Sequence, residues 1–258
     1  MASQHSPNES TSAQQSSGAP ISNRVFATTS WSMVLRATDK NDSEATIALN
    51  SLCEVYWYPL YAFARQKGKS HSEAEDATQA FIFELIESSG FAKADQKRGR
   101  FRTFLLASFT NFMTNQWRAN QAQKRGGGDQ TLSLDFESGD GQYSLVASND
   151  LTPERIFERT WAMTVLKQSL EQVKTQYDRS GKPELFSELQ VFLGGTGDAT
   201  YTEVAERLGM KANAVKVAVH RLRQRYGEQL RIQIGRTVDS SSEVDEELQT
   251  LFQILGAS

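Results

Sequence analysis

Apolar residues recur at helical spacing along most of the chain, and nowhere in sustained alternation. Trp31, Val34 and Leu35 form a first short stripe after Thr28. Asn41-Asp42-Ser43-Glu44 reads as a capping box, in which Asn41 caps the first amides and Glu44 reaches back. Ala45, Ala48, Leu49, Leu52 and Tyr56 follow on one helix face. Ser70-His71-Ser72-Glu73 is a second capping box, and its helix runs through Ala74, Ala77, Phe81 and Leu85 to about Ser88. A basic, glycine-containing loop over 90–100 leads to a third helix, Phe101 to about Gln123, ended by Gly126-Gly127-Gly128. Thr152-Pro153-Glu154 restarts helix, with Thr152 as N-cap and Pro153 at the first helical position. Trp161, Val165, Leu170, Val173 and Tyr177 carry its apolar face, and Gly181-Lys182-Pro183 stops it. Leu185, Leu189 and Phe192 predict a further helix, ended at Gly194-Gly195. The fold class is therefore all-α, with no internal repeat.

Two stretches break the pattern. Residues 1–24 are rich in Ser, Gln, Asn, Ala and Pro and nearly lack large apolar side chains. They cannot bury enough surface to offset the entropy of ordering, which predicts a disordered tail. Residues 126–151 have no clear period and many Gly, Ser and Asp, apart from a strand-like run at 131–136. A linker of roughly 25 residues marks a domain boundary. Two small helical domains are thus predicted, 25–125 and 152–236, joined by a flexible linker, with an extension over 237–258.

The sharpest local signal lies at 200–226. Thr200-Tyr201-Thr202-Glu203 is a capping box opening a short helix with Val204, Ala205 and Leu208. Gly209 supplies a left-handed turn residue, and Ala212 to Tyr226 is a second helix with Val215, Ala218, Val219, Leu222 and Tyr226 inward. Small Ala205, the corner at Gly209 and branched Val215 have the spacing of a helix-turn-helix. Asn213, Lys216, His220, Arg221 and Gln224 then face outward, suited to phosphates and base edges in a major groove. The competing reading is an ordinary αα-corner with a basic face.

Charge sharpens this picture. The 258 residues carry a formal net charge of −3, yet 97–125 holds seven basic residues and no acid. Another eight lie in 207–236, where Glu228 is the only acid. Two basic segments in an acidic chain suggest two contacts with a polyanion, against the plainer reading of solvated helix faces. In 91–125 the cations are interleaved with Phe91, Phe101, Phe104, Phe109, Phe112 and Trp117. Aromatics beside cations can stack unpaired bases. Phe104, Phe109 and Phe112 read as core, leaving Phe101, at the loop–helix junction, as the candidate for a base contact. On the helix 73–88, Asp76, Gln79 and Phe83 share a stripe that is either a protein-docking surface or covered by a neighbouring helix.

Several classes are excluded. No apolar run approaches the ~18 residues of a transmembrane span, and the polar N-terminus is unlike a secretory signal. The single cysteine, Cys53, rules out an internal disulfide framework and a cysteine-based zinc site, and reads as a small buried hydrophobe. The expected compartment is the cytoplasm. Gly68-Lys69-Ser70 resembles the end of a phosphate loop, but Phe63 stands where the earlier glycine belongs. His5, His71 and His220 are scattered, and Glu75-Asp76 point in different directions from a helix, so neither a metal site nor a catalytic relay is predicted. The chain is expected to be no enzyme and to need no cofactor.

In this order, the signals resemble one family: the bacterial RNA polymerase sigma factors of the extracytoplasmic-function (group IV) type. The resemblance covers about 28–236. Residues 52–61 with 75–81 resemble the family's core-binding helices, whose Asp-x-x-Gln matches Asp76 and Gln79. Gly99-Arg100-Phe101-Arg102-Thr103-Phe104-Leu105, with Asn111 and Arg118, resembles the promoter-melting and −10 recognition segment. Tyr201-Thr202-Glu203-Val204-Ala205 and Val215-Lys216 resemble the −35-binding helix-turn-helix. Asn213-Ala214 replaces the family's usual Gly-Thr, and Val217 and Ala218 replace a Ser and an Arg.

The resemblance implies a function: binding core RNA polymerase and directing promoter recognition and melting. Asp76, Gln79 and Phe83 would contact polymerase. Lys97, Arg98, Arg100, Phe101, Arg102, Asn111 and Arg118 would serve the −10 element. Asn213, Lys216, His220, Arg221 and Gln224 would serve the −35 element. Partners would be core polymerase, double-stranded and locally melted promoter DNA, and an anti-sigma factor, with no membrane. The rival is a helix-turn-helix regulator that never binds polymerase.

The extension has its own pattern. Ser242 can cap a helix whose first turn holds Glu243, Asp245, Glu246 and Glu247. Val244, Leu248, Leu251, Phe252 and Leu255 form its apolar face. Such a short helix is marginal alone and needs a surface. Two dockings are open: across the helix-turn-helix, competing with DNA, or away from the DNA face, completing a core.

Overall fold

In a computed structural model the described residues are 43–87, 100–123, 151–194, 199–236, 238 and 241–256. They form helices α1 (Ser43–Gln66), α2 (His71–Glu87), α3 (Phe101–Gln123), α4 (Pro153–Arg179), α5 (Pro183–Leu189), α6 (Tyr201–Arg207), α7 (Ala212–Gly235) and α8 (Ser241–Gly256), with a 3₁₀ turn at Gln190–Phe192. The fold is all-helical, as the spacing predicts. The tail over 1–24, the stripe at Trp31–Leu35, the cap at Asn41, the cations Lys97 and Arg98, and the stretch 124–150 lie outside the described residues.

Local chemistry sets the helix ends. Ser70 and Glu73 form the expected reciprocal box: the Ser70 amide donates to Glu73 Oε2 at 2.9 Å, and the Glu73 amide to Ser70 Oγ at 3.3 Å. At α4 the Arg155 amide donates to Thr152 Oγ1 at 3.3 Å, with Pro153 just inside. Gly181, at φ 69°, closes that helix, and the Lys182 amide returns to Tyr177 O at 2.9 Å.

The described residues bury two apolar cores, and these do not divide at the expected linker. The larger core joins Leu60, Tyr61 and Phe63 of α1, Phe81 of α2, and Phe101, Leu105 and Phe109 of α3 to Phe157, Trp161 and Val165 of α4, Leu230 and Ile234 of α7, and Val244 and Leu251 of α8. The smaller joins Val173 and Tyr177 of α4 with Phe186 and Leu189 of α5, Val204 and Ala205 of α6, and Val215, Val219 and Leu222 of α7. Helices α4 and α7 therefore belong to both. The physical reason is length: α4 has 27 residues, about 40 Å of helix. Its apolar first half needs a cover of its own, and α1 provides it. Lys67 Nζ to Glu154 Oε1 (3.3 Å) and Gln66 Nε2 donating to Leu151 O (3.1 Å) fasten the edge of that contact.

Helix α7 also exceeds its expected end at Tyr226, running on through Gly227 to Gly235. An interior glycine weakens a helix by about 1 kcal/mol. Burial of Leu230 and Ile234 in the larger core carries the helix across it. Where the cores meet, the Tyr226 hydroxyl donates to Leu166 O at 3.3 Å, and burial pushes its pKa up to about 12.

Candidate nucleic-acid and polymerase interfaces

Helices α6 and α7 and the corner between them are built as their residues dictate. The Thr200 amide donates to Glu203 Oε2 at 2.8 Å, and the Glu203 amide to Thr200 Oγ1 at 3.3 Å. The first of these bonds, together with the Thr200 hydroxyl, holds the Glu203 carboxyl below its ordinary pKa. At the corner Gly209 takes φ 63°, and the Met210 amide reaches back to Ala205 O at 2.9 Å. Only a residue without Cβ adopts that turn at no cost. Val204, Ala205, Val215, Val219 and Leu222 are buried between α6 and α7.

Asn213, Lys216, His220, Arg221 and Gln224 are all exposed on the other face of α7. Neighbouring exposed cations make contacts within the molecule. Arg223 donates to Phe192 O at 2.9 Å, Arg225 lies over the Tyr177 ring at 5.1 Å, and Arg207 pairs with Glu188 at 2.6 Å. Lys216 Nζ stands 5.8 Å from the Tyr201 ring centroid, which places its charge beside the start of α6. Exposed Lys211, at the start of α7, and Val217, between the outer cations, belong to the same surface. Neither is among the outward residues expected from the sequence, although a DNA-reading helix contacts bases chiefly through its N-terminal residues.

On α2 the buried stripe is Ala74, Ala77, Thr78, Phe81 and Leu85. Asp76 is exposed, Gln79 is half-buried, and Phe83 is 51% exposed, so no helix among the described residues covers it. A large aromatic left in water beside a carboxylate and an amide is the kind of surface that docks protein.

The start of α3 departs from expectation. Asn111 and Arg118 are exposed. Phe101, the expected base-stacking residue, is only 2% exposed, with its ring edge-on to Tyr56 at 5.3 Å. It heads the stripe Phe101, Leu105, Phe109, all buried, and that i, i+4, i+8 spacing is the sign that it belongs to the core. Arg102 is 4% exposed, its guanidinium 4.4 Å from the Trp161 ring centroid. Burial lowers its pKa to about 10, so it stays charged at neutral pH. Arg102 is ion-paired with Glu247 of α8, and Arg100 Nε lies 3.1 Å from the other oxygen of the same carboxylate.

A family profile for ECF sigma factors matches residues 28–248. The chain belongs to the extracytoplasmic-function sigma factors. Searches of curated proteins and of solved structures returned no match. The sigma factor directs RNA polymerase to promoters, and it is not an enzyme: the chemistry is the polymerase's. No group of His, Cys, Asp or Glu among the described residues could hold a metal ion, and no described helix is long and apolar enough to cross a membrane. Burial pushes the Cys53 thiol up to about 11, which leaves it protonated at neutral pH.

The sigma factor's C-terminal helix corrects one expectation. Helix α8 contacts α7 and α4, with Val244 and Leu251 in the larger core, and it leaves the exposed outer face of α7 open. Docking across the helix-turn-helix is thus not what the structure shows. Phe252, expected inward, is 57% exposed, while Glu247 is 3% exposed in the inner stripe. The sequence signal was present: Glu247 follows Val244 by three and precedes Leu251 by four.

Proposed function

We propose that this sigma factor divides its work among three surfaces. The outer face of α2, through Asp76, Gln79 and Phe83, docks on core RNA polymerase. Arg100, Arg102, Asn111 and Arg118, with Lys97 and Arg98 on the preceding loop, hold the −10 element as it melts. Asn213, Lys216, His220, Arg221 and Gln224 hold the −35 element as duplex DNA. The two DNA contacts correspond to a melting unit over 25–125 and a helix-turn-helix unit over 152–236. An anti-sigma factor is the further partner that the family implies. Phe101 is not among the base contacts, because its side chain is part of the core.

The observation that carries this reading is the open polar face of α7 on a capped helix-turn-helix. Polar side chains there reach base edges, and cations neutralise phosphates. The alternative of a regulator that never binds polymerase is set aside by the family match. Run-off transcription tests the proposal: core polymerase with the full chain yields promoter-directed transcript, and Lys216→Ala with Arg221→Ala lowers it at promoters carrying a −35 element. Equal transcript from wild type and variant would remove α7 from the DNA contact.

A further inference from the structure

The acids of α8 do not share one environment. Asp245 and Glu246 face solvent, while Glu247 is 3% exposed. Its carboxylate sits between two guanidiniums, Arg102 and Arg100, on the segment assigned above to the −10 element. Arg102 is enclosed by Glu247 on one side and the Trp161 ring on the other. A second ion pair, Arg231 with Asp245, fastens the same helix to α7 at the surface. Val244 and Leu251 anchor it in the larger core beneath.

An acid buried in an apolar stripe is costly unless cations stand beside it, and Arg100 and Arg102 are the cations a phosphate on this segment would need. A carboxylate and a phosphate present the same kind of paired anionic oxygens to a guanidinium fork. We infer that α8 is an autoinhibitory latch: Glu247 occupies Arg100 and Arg102 in place of a DNA phosphate, so that the −10 segment binds DNA only after α8 lets go. The inference rests on the assignment of the start of α3 to DNA. It concerns that segment alone, because α8 leaves the outer face of α7 uncovered.

Allosteric and competitive couplings of this kind are typically worth a factor of about 5 to 150 in affinity. Polymerase-free binding of a labelled oligothymidine by the full chain, followed over a salt series, reads the effect. Glu247→Gln should bind at least about fivefold tighter than wild type. Its salt dependence should steepen by roughly 0.7 for each arginine released to a phosphate. Asp245→Asn, on the exposed pair, should move affinity in the same direction by less. Glu246→Gln makes the same charge change away from the arginines and should produce no gain. Unchanged or weaker binding by folded Glu247→Gln overturns the latch, and so does an equal gain in Glu246→Gln, which would mark a net-charge effect. If Glu247→Gln does not fold, Asp245→Asn decides, and no gain there overturns it. The sigma-factor reading fails separately, by wild-type chain giving no promoter-directed transcript with core polymerase. The latch fails on a difference between variants measured without polymerase.

Discussion

The outer face of α7 and the start of α3 are both basic, and the structure treats them in opposite ways. On α7 the cations that face away from the core, Lys216 and Arg221, stand open to solvent. At α3 the cations are met from inside the molecule: Arg102 by Trp161 and Glu247, Arg100 by Glu247. A basic run in a sequence therefore says little about availability. Availability depends on whether an acid elsewhere in the chain reaches it.

The largest expected effect tests the covered region. Trp161 is fully buried and lies under Arg102. Trp161→Ala should cost about 3–5 kcal/mol of stability by denaturant unfolding. Arg221→Ala, on the open face, should change stability by less than about 0.5 kcal/mol. Similar losses for the two would erase the contrast.

Next comes the proposed polymerase face of α2, open to solvent like the outer face of α7. Asp76→Ala combined with Phe83→Ala should weaken binding to core polymerase by about 2 kcal/mol or more, roughly 30-fold, with the thermal midpoint nearly unchanged. Titration against immobilised core polymerase measures it. Undiminished affinity would move the docking surface elsewhere.

The proposed DNA face of α7 can be sharpened charge by charge. Removing Lys216 or Arg221 should weaken binding to a −35 duplex and reduce its salt slope by roughly 0.9 per lost phosphate contact. A slope identical to wild type would mean that neither side chain meets a phosphate.

Two smaller effects concern the scaffold beneath that face. Gly209→Ala places a Cβ at φ 63° with no neighbour within 4 Å. The loss should therefore be backbone strain alone, about 1–2 kcal/mol, visible as a lower unfolding midpoint. The Glu203 carboxylate accepts from the Thr200 amide, and that bond lowers its pKa. Its support for α6 is thus complete above the ordinary carboxylate range and fades as pH falls through the lowered value. Glu203→Gln should remove that part of the acid sensitivity, read by circular dichroism across the acid range.

These outcomes follow how far the molecule was legible in its sequence. Helix starts at Ser70, Thr152 and Thr200 were readable because capping is settled within four residues. The outward set on α7 was readable because Val215, Val219 and Leu222 fix which face turns in. The covered state of Arg102 was not, because its partners lie at Trp161 and Glu247, far along the chain. Nor was the sharing of α4 and α7 between two cores, since a long helix shows one continuous stripe whatever covers each half. Phe101 was misassigned by position, its place beside a cationic loop outweighing a spacing that already put it with Leu105 and Phe109.

The most direct test of the contrast compares two probes on the full chain. Affinity for a −35 duplex and for an oligothymidine is measured with wild type and with Glu247→Gln. The account predicts a gain of at least about fivefold for the single strand and no change for the duplex. Equal shifts for both probes, or none for either, would contradict it.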